Sequence, residues 1–510
     1  PAHRRRDGWP AWRDAMEALH APGDAGELSA ETPVRQRLAY DEVLANQLAL
    51  ALVRRHQRHL TGRPIQGDGT LRAKALTALP FALTGDQDAA IRAILADMAS
   101  DRRMLRLLQG DVGSGKTVVA VHAMLAAVEA GAQAAVMAPT EVLARQHFAT
   151  IQPLAEAAGV ETLLLTGKQK KREREAAMAR LADGRAGIAV GTHALFQHDV
   201  AFHDLALAVI DEQHRFGVHQ RMELQAKGRA VDVLVMTATP IPRTLVLTAY
   251  GDMDATRIVE KPAGRKPVDT RTVPLDRLEE VVAGVERAMD QGSKVFWVCP
   301  LVDESKRSDV AAAEARFADL KERFGGRVGL VHGRMTSAEK DRAMTAFRDG
   351  GVHLLVATTV IEVGVDVPAA ALMVIEHAER FGLAQLHQLR GRIGRGGQQA
   401  SCLLLYQGPL GEVARGRLRI LRERDDGFTI AEEDVRLRGA GEVLGTRQSG
   451  FPEFRVAEPE AVDALLPTAR DDANLILHRD PDLQGERGRA LRVLLYLFER
   501  DAAVRYLRSG

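Results

Sequence analysis

The eight residues Gly110-Asp111-Val112-Gly113-Ser114-Gly115-Lys116-Thr117 restrict this chain more than any other feature. They match the pattern GxxxxGK[ST] at every fixed position, with an apolar strand expected over 106–108 and a helix over 118–128. Glycines at such a turn let backbone N–H groups converge on phosphate oxygens, and the helix N-terminus adds partial positive charge. Gly110, Gly113, Ser114 and Gly115 are therefore candidate cradle residues for ATP. Lys116 is placed to reach the β- and γ-phosphates, and the Thr117 hydroxyl to ligate Mg²⁺.

Downstream of this loop, apolar strands are expected over 134–138, 187–190, 205–210 and 233–236, separated by helical stretches. Near-continuous apolar strands alternating with helices imply a parallel sheet covered on both faces. Each strand ends in polar residues, where open α/β sheets bind ligands. Asp211 and Glu212 close the strand Ala-Leu-Ala-Val-Ile. A carboxylate there can hold Mg²⁺, which assigns that role to Asp211 with Thr117, and a second can position the attacking water, which assigns Glu212. Upstream, Phe81 and Gln87 are spaced to stack on and hydrogen-bond an adenine, although Gln87 equally suits a helix surface. The run Lys168, Lys170, Lys171, Arg172 and Arg174 reads as a solvated helix face.

A Pro-, Lys- and Arg-rich stretch at 261–271 reads as a linker, after which strands are expected over 295–299, 328–331, 354–357 and 371–375. This second half lacks a phosphate loop of its own. One loop shared by two similar sheets suggests a nucleotide held between them. In the Gly-spaced segment 388–395, Arg392 and Arg395 are candidate catalytic fingers, because a guanidinium supplied across a cleft stabilises charge building on the γ-phosphate. Such an arrangement would make hydrolysis depend on domain closure.

At 510 residues the chain exceeds what one core can hold. Its expected units are 1–60 (linker and helix), 61–260 and 261–412 (two parallel-sheet α/β domains in tandem) and 413–510 (helical). Leu38, Leu44, Leu48 and Leu52 set the helical spacing over 34–59, and Trp9 and Trp12 are expected to pack on a neighbour. No apolar run approaches the roughly 20 residues of a membrane span. Two distant cysteines suit a reducing cytoplasm. Net charge is +1, so nucleic-acid binding has to be argued from where the arginines sit. The chain begins at Pro1 rather than Met and reads as a fragment or processed form.

Taken together, 110–117, Asp211 to His214, Thr237 to Pro240, 358–366 and 388–395 resemble the ordered motifs of superfamily-two helicases. The tail, Gly427-Phe428-Thr429-Ile430-Ala431-Glu432 through Leu437-Arg438-Gly439-Ala440-Gly441-Glu442 to Leu444-Gly445-Thr446-Arg447-Gln448-Ser449-Gly450, resembles the translocation motif shared by RecG branched-DNA helicases and the transcription-repair coupling factor. Gln213 and the following Arg215-Phe216-Gly217-Val218 match the RecG form, as does the stretch from Arg37 to Leu48. Ala440 stands where RecG chains usually carry Pro. The resemblance implies two RecA-like helicase domains in tandem followed by a helical translocation-motif region, in an ATP- and Mg²⁺-dependent enzyme that translocates on duplex DNA and remodels stalled forks and Holliday junctions in repair and recombination. The alternative is a transcription-coupled translocase. It further implies that Arg417, Arg438, Arg447 and Gln448 convert ATP-driven closure into movement. By the same resemblance the protein would be a bacterial, cytoplasmic, nucleoid-associated monomer, with branched DNA and single-stranded DNA-binding protein as partners and no membrane. RecG proteins also carry an N-terminal wedge domain, which the residues before Val34 are too few to hold. Read without the resemblance, Arg415, Arg417, Arg419, Arg422 and Arg424 suit phosphate contact or a helix surface paired with Glu423, Asp425 and Asp426.

Overall fold

The computed structural model describes residues 7–500 apart from 25, 27–28, 60–61, 168, 198, 212–226, 241–252, 263, 301–307, 359–366, 368 and 446–453; side chains at 56–59, 308–310, 337, 438–445, 459–460 and 463 are also outside the description. Four helices open the chain: α1 (Trp12–His20), α2 (Pro33–His59), α3 (Thr70–Thr77) and α4 (Gly85–Met98). Alternation then runs β1 (Leu105–Gly110), α5 (Lys116–Glu129), β2 (Gln133–Met137), α6 (Glu141–Ala157), β3 (Thr162–Leu165), α7 (Lys171–Ala182), β4 (Ile188–Gly191), β5 (Leu205–Asp211), β6 (Asp232–Thr237) and β7 (Asp254–Ile258). The seven strands lie in the order β3-β4-β2-β5-β6-β1-β7, every pairing parallel.

Composition explains that architecture. Every residue of β5 and β6 is buried, so neither face is left for water and both are covered. Alternate residues feed two cores: Leu207 and Val209 enter one, Ala208 and Ile210 the other. Helix α5 is apolar nearly all round because it lies inside the first of these cores.

A second sheet follows, from β8 (Asp269–Pro274), α8 (Leu278–Asp290), β9 (Lys294–Val298), α9 (Ser308–Phe324), β10 (Val328–Val331), α10 (Ser337–Asp349), β11 (Leu354–Ala357), β12 (Ala370–Ile375), α11 (Leu383–Arg390) and β13 (Ser401–Tyr406). Its six strands, again all parallel, run β10-β11-β9-β12-β13-β8. Helices α12 (Glu412–Glu423), α13 (Gly427–Gly445), α14 (Pro459–Arg479) and α15 (Glu486–Leu497) complete the described chain.

Four strands escape the sequence reading: β3, β7, β8 and β13. Three are sheet edges, and β7 and β8 are only partly buried, so neither carries a long apolar run. Strand β8 begins inside the stretch read as linker, which therefore stops at Lys266 to Val268 rather than Arg271. Strand β13 is internal and was missed because it follows directly on the Arg- and Gly-rich segment.

A third core joins the two ends of the chain. Leu44, Leu48 and Leu52 of α2 pack with Leu466, Ala469 and Ala473 of α14 and with Leu491 and Leu495 of α15. Trp9 packs on Tyr40, ring centroids 5.1 Å apart, whereas Trp12 stays exposed. The buried Glu42 carboxylate accepts the backbone N–H groups of Arg455, Val456 and Ala457 at 2.6, 2.8 and 2.9 Å. These bonds lock α2 to the segment entering α14. Among the described residues, no helix is long and apolar enough to cross a membrane.

Candidate nucleotide site and inter-sheet cleft

Strand order builds the site. β5, β6 and β1 are neighbours, with Asp211 level with Met236 and Gln109 level with Thr237. Their C-terminal ends therefore open at one edge, bringing Asp211, Thr237 and the phosphate loop together. Gly113 and Gly115 take φ of +78° and +84°, the left-handed region that favours glycine. Gly115 also caps α5 with no side chain of its own to compete for the helix's first N–H groups, and its carbonyl accepts the Val118 N–H at 3.0 Å. A Cβ at Gly115 would collide with the Gln87 amide, and one at Gly113 would lie 2.7 Å from the Arg265 guanidinium.

Lys116 is buried and donates to the carbonyls of Gly110 at 2.6 Å and Asp111 at 2.9 Å, which folds the loop around its ammonium. Ser114 Oγ is buried with no hydrogen-bond partner among the described residues, an orphan that a phosphate oxygen would satisfy. Thr117 sits half-buried in the first turn of α5. This donor set fits a nucleotide phosphate chain with Mg²⁺, which binds through one or two protein oxygens plus phosphates and keeps several waters.

Gln87 is not helix surface. It is 1% exposed, forms a reciprocal capping box with Thr84 at the start of α4, and donates from Nε2 to Ser114 O at 2.8 Å. It thus ties α4 to the phosphate loop, with Phe81 exposed nearby in sequence. Asp211 is 9% exposed, and its Oδ2 lies 2.7 Å from Nε2 of His147 on α6. The sequence reading passed over His147. The one signal it carried was a lone polar residue in the apolar stripe of Leu143, Ile151 and Leu154. Glu212 lies outside the described residues.

Across the cleft, α11 presents its C-terminal half to the loop. His387 Nε2 lies 2.8 Å from Asp111 Oδ1, and Gln388 Nε2 donates to Thr239 Oγ1 at 2.6 Å. Arg265, between the sheets, donates to Val112 O at 2.5 Å and to Gly391 O at 3.4 Å. Gly391 is needed at this approach, since a Cβ there would meet Val112 Cβ at 2.9 Å. The following residues include both candidate fingers: Arg392 is half-buried, and Arg395 donates from Nε to Gly391 O at 3.2 Å.

His387 extends the contact beyond the loop. Arginine only donates, so Arg390 Nη2, 3.0 Å away, makes His387 Nδ1 the acceptor and leaves Nε2–H for Asp111. Burial alone would raise the Asp111 carboxyl. The hydrogen bond from His387, the Val112 N–H and nearby Arg265 outweigh that and hold it below the usual carboxylate range. Arg390 in turn donates to Leu421 O at 2.6 Å and Arg424 O at 2.8 Å, satisfying the carbonyl end of α12. Gly427, first residue of α13, abuts the same point. A Cβ there would lie 2.7 Å from both His387 and Pro240. The helical region is thereby joined to the nucleotide loop through two side chains.

In that region, Arg417 donates to Phe381 O at 2.8 Å and braces α12 against the second sheet, while Arg415, Arg419 and Arg422 are exposed. Arg438 lies on α13, its side chain beyond the description, and Arg447, Gln448 and Lys168 fall outside the described residues.

Family models match three successive parts of the chain: DEAD/DEAH box helicase over residues 84–247, helicase conserved C-terminal domain over 275–397, and ATP-dependent DNA helicase RecG, domain 3, C-terminal, over 424–494. The ATP-dependent DNA helicase RecG of Acidithiobacillus ferridurans is 50% identical over 475 residues, covering 93% of this chain and 69% of that protein. The Escherichia coli K12 protein of the same name is 48% identical, covering 92% and 69%. Among solved structures, RecG bound to a three-way DNA junction superposes with a TM-score of 0.73 at 43% identity, covering 90% of this chain and 59% of that one. Dbp5 of S. cerevisiae, at 18% identity and a TM-score of 0.52, shares the fold alone. Sheet order, loop, cleft and all three family models agree, and the chain belongs to the RecG family of ATP-dependent DNA helicases.

Proposed function

We propose that this chain is an ATP-dependent translocase on duplex DNA that remodels branched DNA, including stalled forks and Holliday junctions. The observation that carries it is the seating of the second sheet's 387–395 segment on the first sheet's strand ends, on the phosphate loop through His387–Asp111 and just past β6 through Gln388–Thr239. Nucleotide in that cleft would touch both sheets, so its turnover would move one against the other.

In this reading Lys116 exchanges the Gly110 and Asp111 carbonyls for β- and γ-phosphate oxygens. Gly110, Gly113, Ser114 and Gly115 line the phosphates, and Gln87 and Phe81 flank the adenine. Thr117 and Asp211 would hold Mg²⁺, which would supply neutralising charge to the phosphate chain. Glu212 orients the attacking water and takes its proton, and Arg392 and Arg395 stabilise the charge of transfer. Arg390 and Gly427 pass closure to α12 and α13, and Arg417, Arg438, Arg447 and Gln448 turn it into movement along the duplex. The protein works as a bacterial cytoplasmic monomer at the nucleoid, with single-stranded DNA-binding protein as a partner. The RecG-specific model over 424–494 and the RecG relatives favour this over transcription-coupled translocation.

The test compares ATP turnover and strand rearrangement on linear duplex, forked and four-way DNA. Stimulation by all duplex forms, with rearrangement of the branched ones, is expected. Stimulation by single-stranded RNA but not duplex DNA would overturn the reading.

A further inference from the structure

We infer that His147 is a positioning residue for the cation-holding carboxylate, fixing Asp211 through a hydrogen bond from its ring. This deepens the proposed function and rests on its assignment of Mg²⁺ to Asp211. His147 occupies the middle of α6, whose start is set by Thr140 Oγ1 accepting the Leu143 N–H at 3.3 Å. It lies four residues from both Leu143 and Ile151, on the helix face that packs into the protein. The imidazole is therefore carried inward with the apolar stripe. A packing role alone would be filled by leucine.

The ring's partner points elsewhere. Its Nε2 lies 2.7 Å from Asp211 Oδ2, at the C-terminal end of a strand whose preceding residues are wholly buried. Each side chain of the pair is 11% exposed. An ionised carboxylate only accepts, so the Nε2 atom carries the proton and donates it. A bond to one carboxylate oxygen fixes the plane of the group and thereby the direction of the other oxygen. Residues that hold a metal-binding carboxylate in this way typically change cation affinity about 10–100-fold when removed. His147 would also connect α6, which starts at the end of β2, to the metal-binding end of β5.

The experiment uses the whole chain as wild type, His147→Leu, which matches volume but cannot donate, and His147→Gln, whose amide keeps a donor at similar reach. Three quantities are read: Mg²⁺ dependence of DNA-stimulated ATP hydrolysis, equilibrium Mn²⁺ binding in the presence of ADP, and binding of a fluorescent ATP analogue without divalent cation. His147→Leu is expected to weaken Mn²⁺ binding and raise half-saturating Mg²⁺ about 10-fold. Cation-free nucleotide binding should stay within about twofold, and His147→Gln should recover most of the loss. If the leucine variant does not fold, His147→Asn, which keeps an amide but falls short of Asp211, takes its place. Wild-type cation affinity in the donor-free variant overturns the inference. Equal losses in the glutamine and donor-free variants, accompanied by weakened cation-free nucleotide binding, overturn it as well. Absence of Mg²⁺-dependent hydrolysis in the wild type itself would instead remove the proposed function.

Discussion

The two parallel sheets are built alike, yet the ends of their strands do different work. In the first, β1, β6 and β5 end in a glycine loop, a threonine and Asp211, all at one edge. In the second, the ends of β9 and β12 close on themselves. Buried Glu376 accepts from Trp297 Nε1 at 2.5 Å and from Arg316 at 2.5 and 3.2 Å, beside the fully buried Cys299. That network pairs the Glu376 carboxylate with side chains of its own sheet and of α9. The second sheet contributes instead through the C-terminal end of α11, where His387 reaches Asp111 of the phosphate loop and Gln388 reaches Thr239 just past the end of β6. A shared fold thus carries two functions, and the side chains at strand and helix ends decide which.

The largest effects should separate the sheets by chemistry. Lys116→Ala is expected to cut DNA-stimulated ATP turnover about 10³-fold, and Arg395→Ala about 10²–10³-fold with KM changed little, because the proposed function gives the first side chain a part in binding and transfer and the second a part in transfer alone. Steady-state kinetics decides; an Arg395 variant that loses affinity but keeps kcat would make the second sheet a binding surface only.

Glu376→Leu should do the reverse, costing about 3 kcal/mol of stability by leaving the buried Trp297 N–H without its acceptor and Arg316 with Asp319 alone, while KM for ATP holds steady. Chemical denaturation read beside kinetics checks this. Unchanged stability would mean the Glu376 network is not what holds the second sheet's strand ends.

Between the sheets, His387→Ala removes one bond to Asp111 and one of the three acceptors of Arg390. A loss of about 1–2 kcal/mol in closure is expected, seen by energy transfer between dyes on the two sheets with a non-hydrolysable ATP analogue. Equal closure in wild type and variant would show that Gln388 and Arg265 suffice.

The smallest effect on catalysis lies within the first sheet. Burial pushes the Asp232 carboxyl up to about 8, although its Oδ1 accepts the Met104 N–H at 2.7 Å. The folded state then holds a proton that the unfolded chain releases near pH 4, so stability falls as pH rises from about 4 through 8. Asp232→Asn should abolish that slope and be the more stable protein above pH 8. Thermal unfolding across the range gives the answer, and parallel slopes for the two proteins would place the Asp232 proton elsewhere.

Much of the site was legible because its chemistry is written in contiguous residues. The phosphate loop needs consecutive N–H groups and a helix start, and Asp211 closes an unbroken apolar strand. Strands β7 and β8 were not legible, since an edge strand buries too little to need an apolar run. Gln87 showed its spacing but not its burial against Ser114, which depends on where α4 packs.

By themselves, the residues determined two α/β sheets, one phosphate loop and an arginine segment without a loop of its own, because periodicity and glycine placement are local properties. Only the tertiary structure decided that His147 meets Asp211, that His387 meets Asp111, and that α2 shares a core with α14 and α15 more than 400 residues later. Those pairs are 64, 276 and over 400 residues apart. Strand order and helix docking bring them together, and neither is encoded in any short stretch of chain.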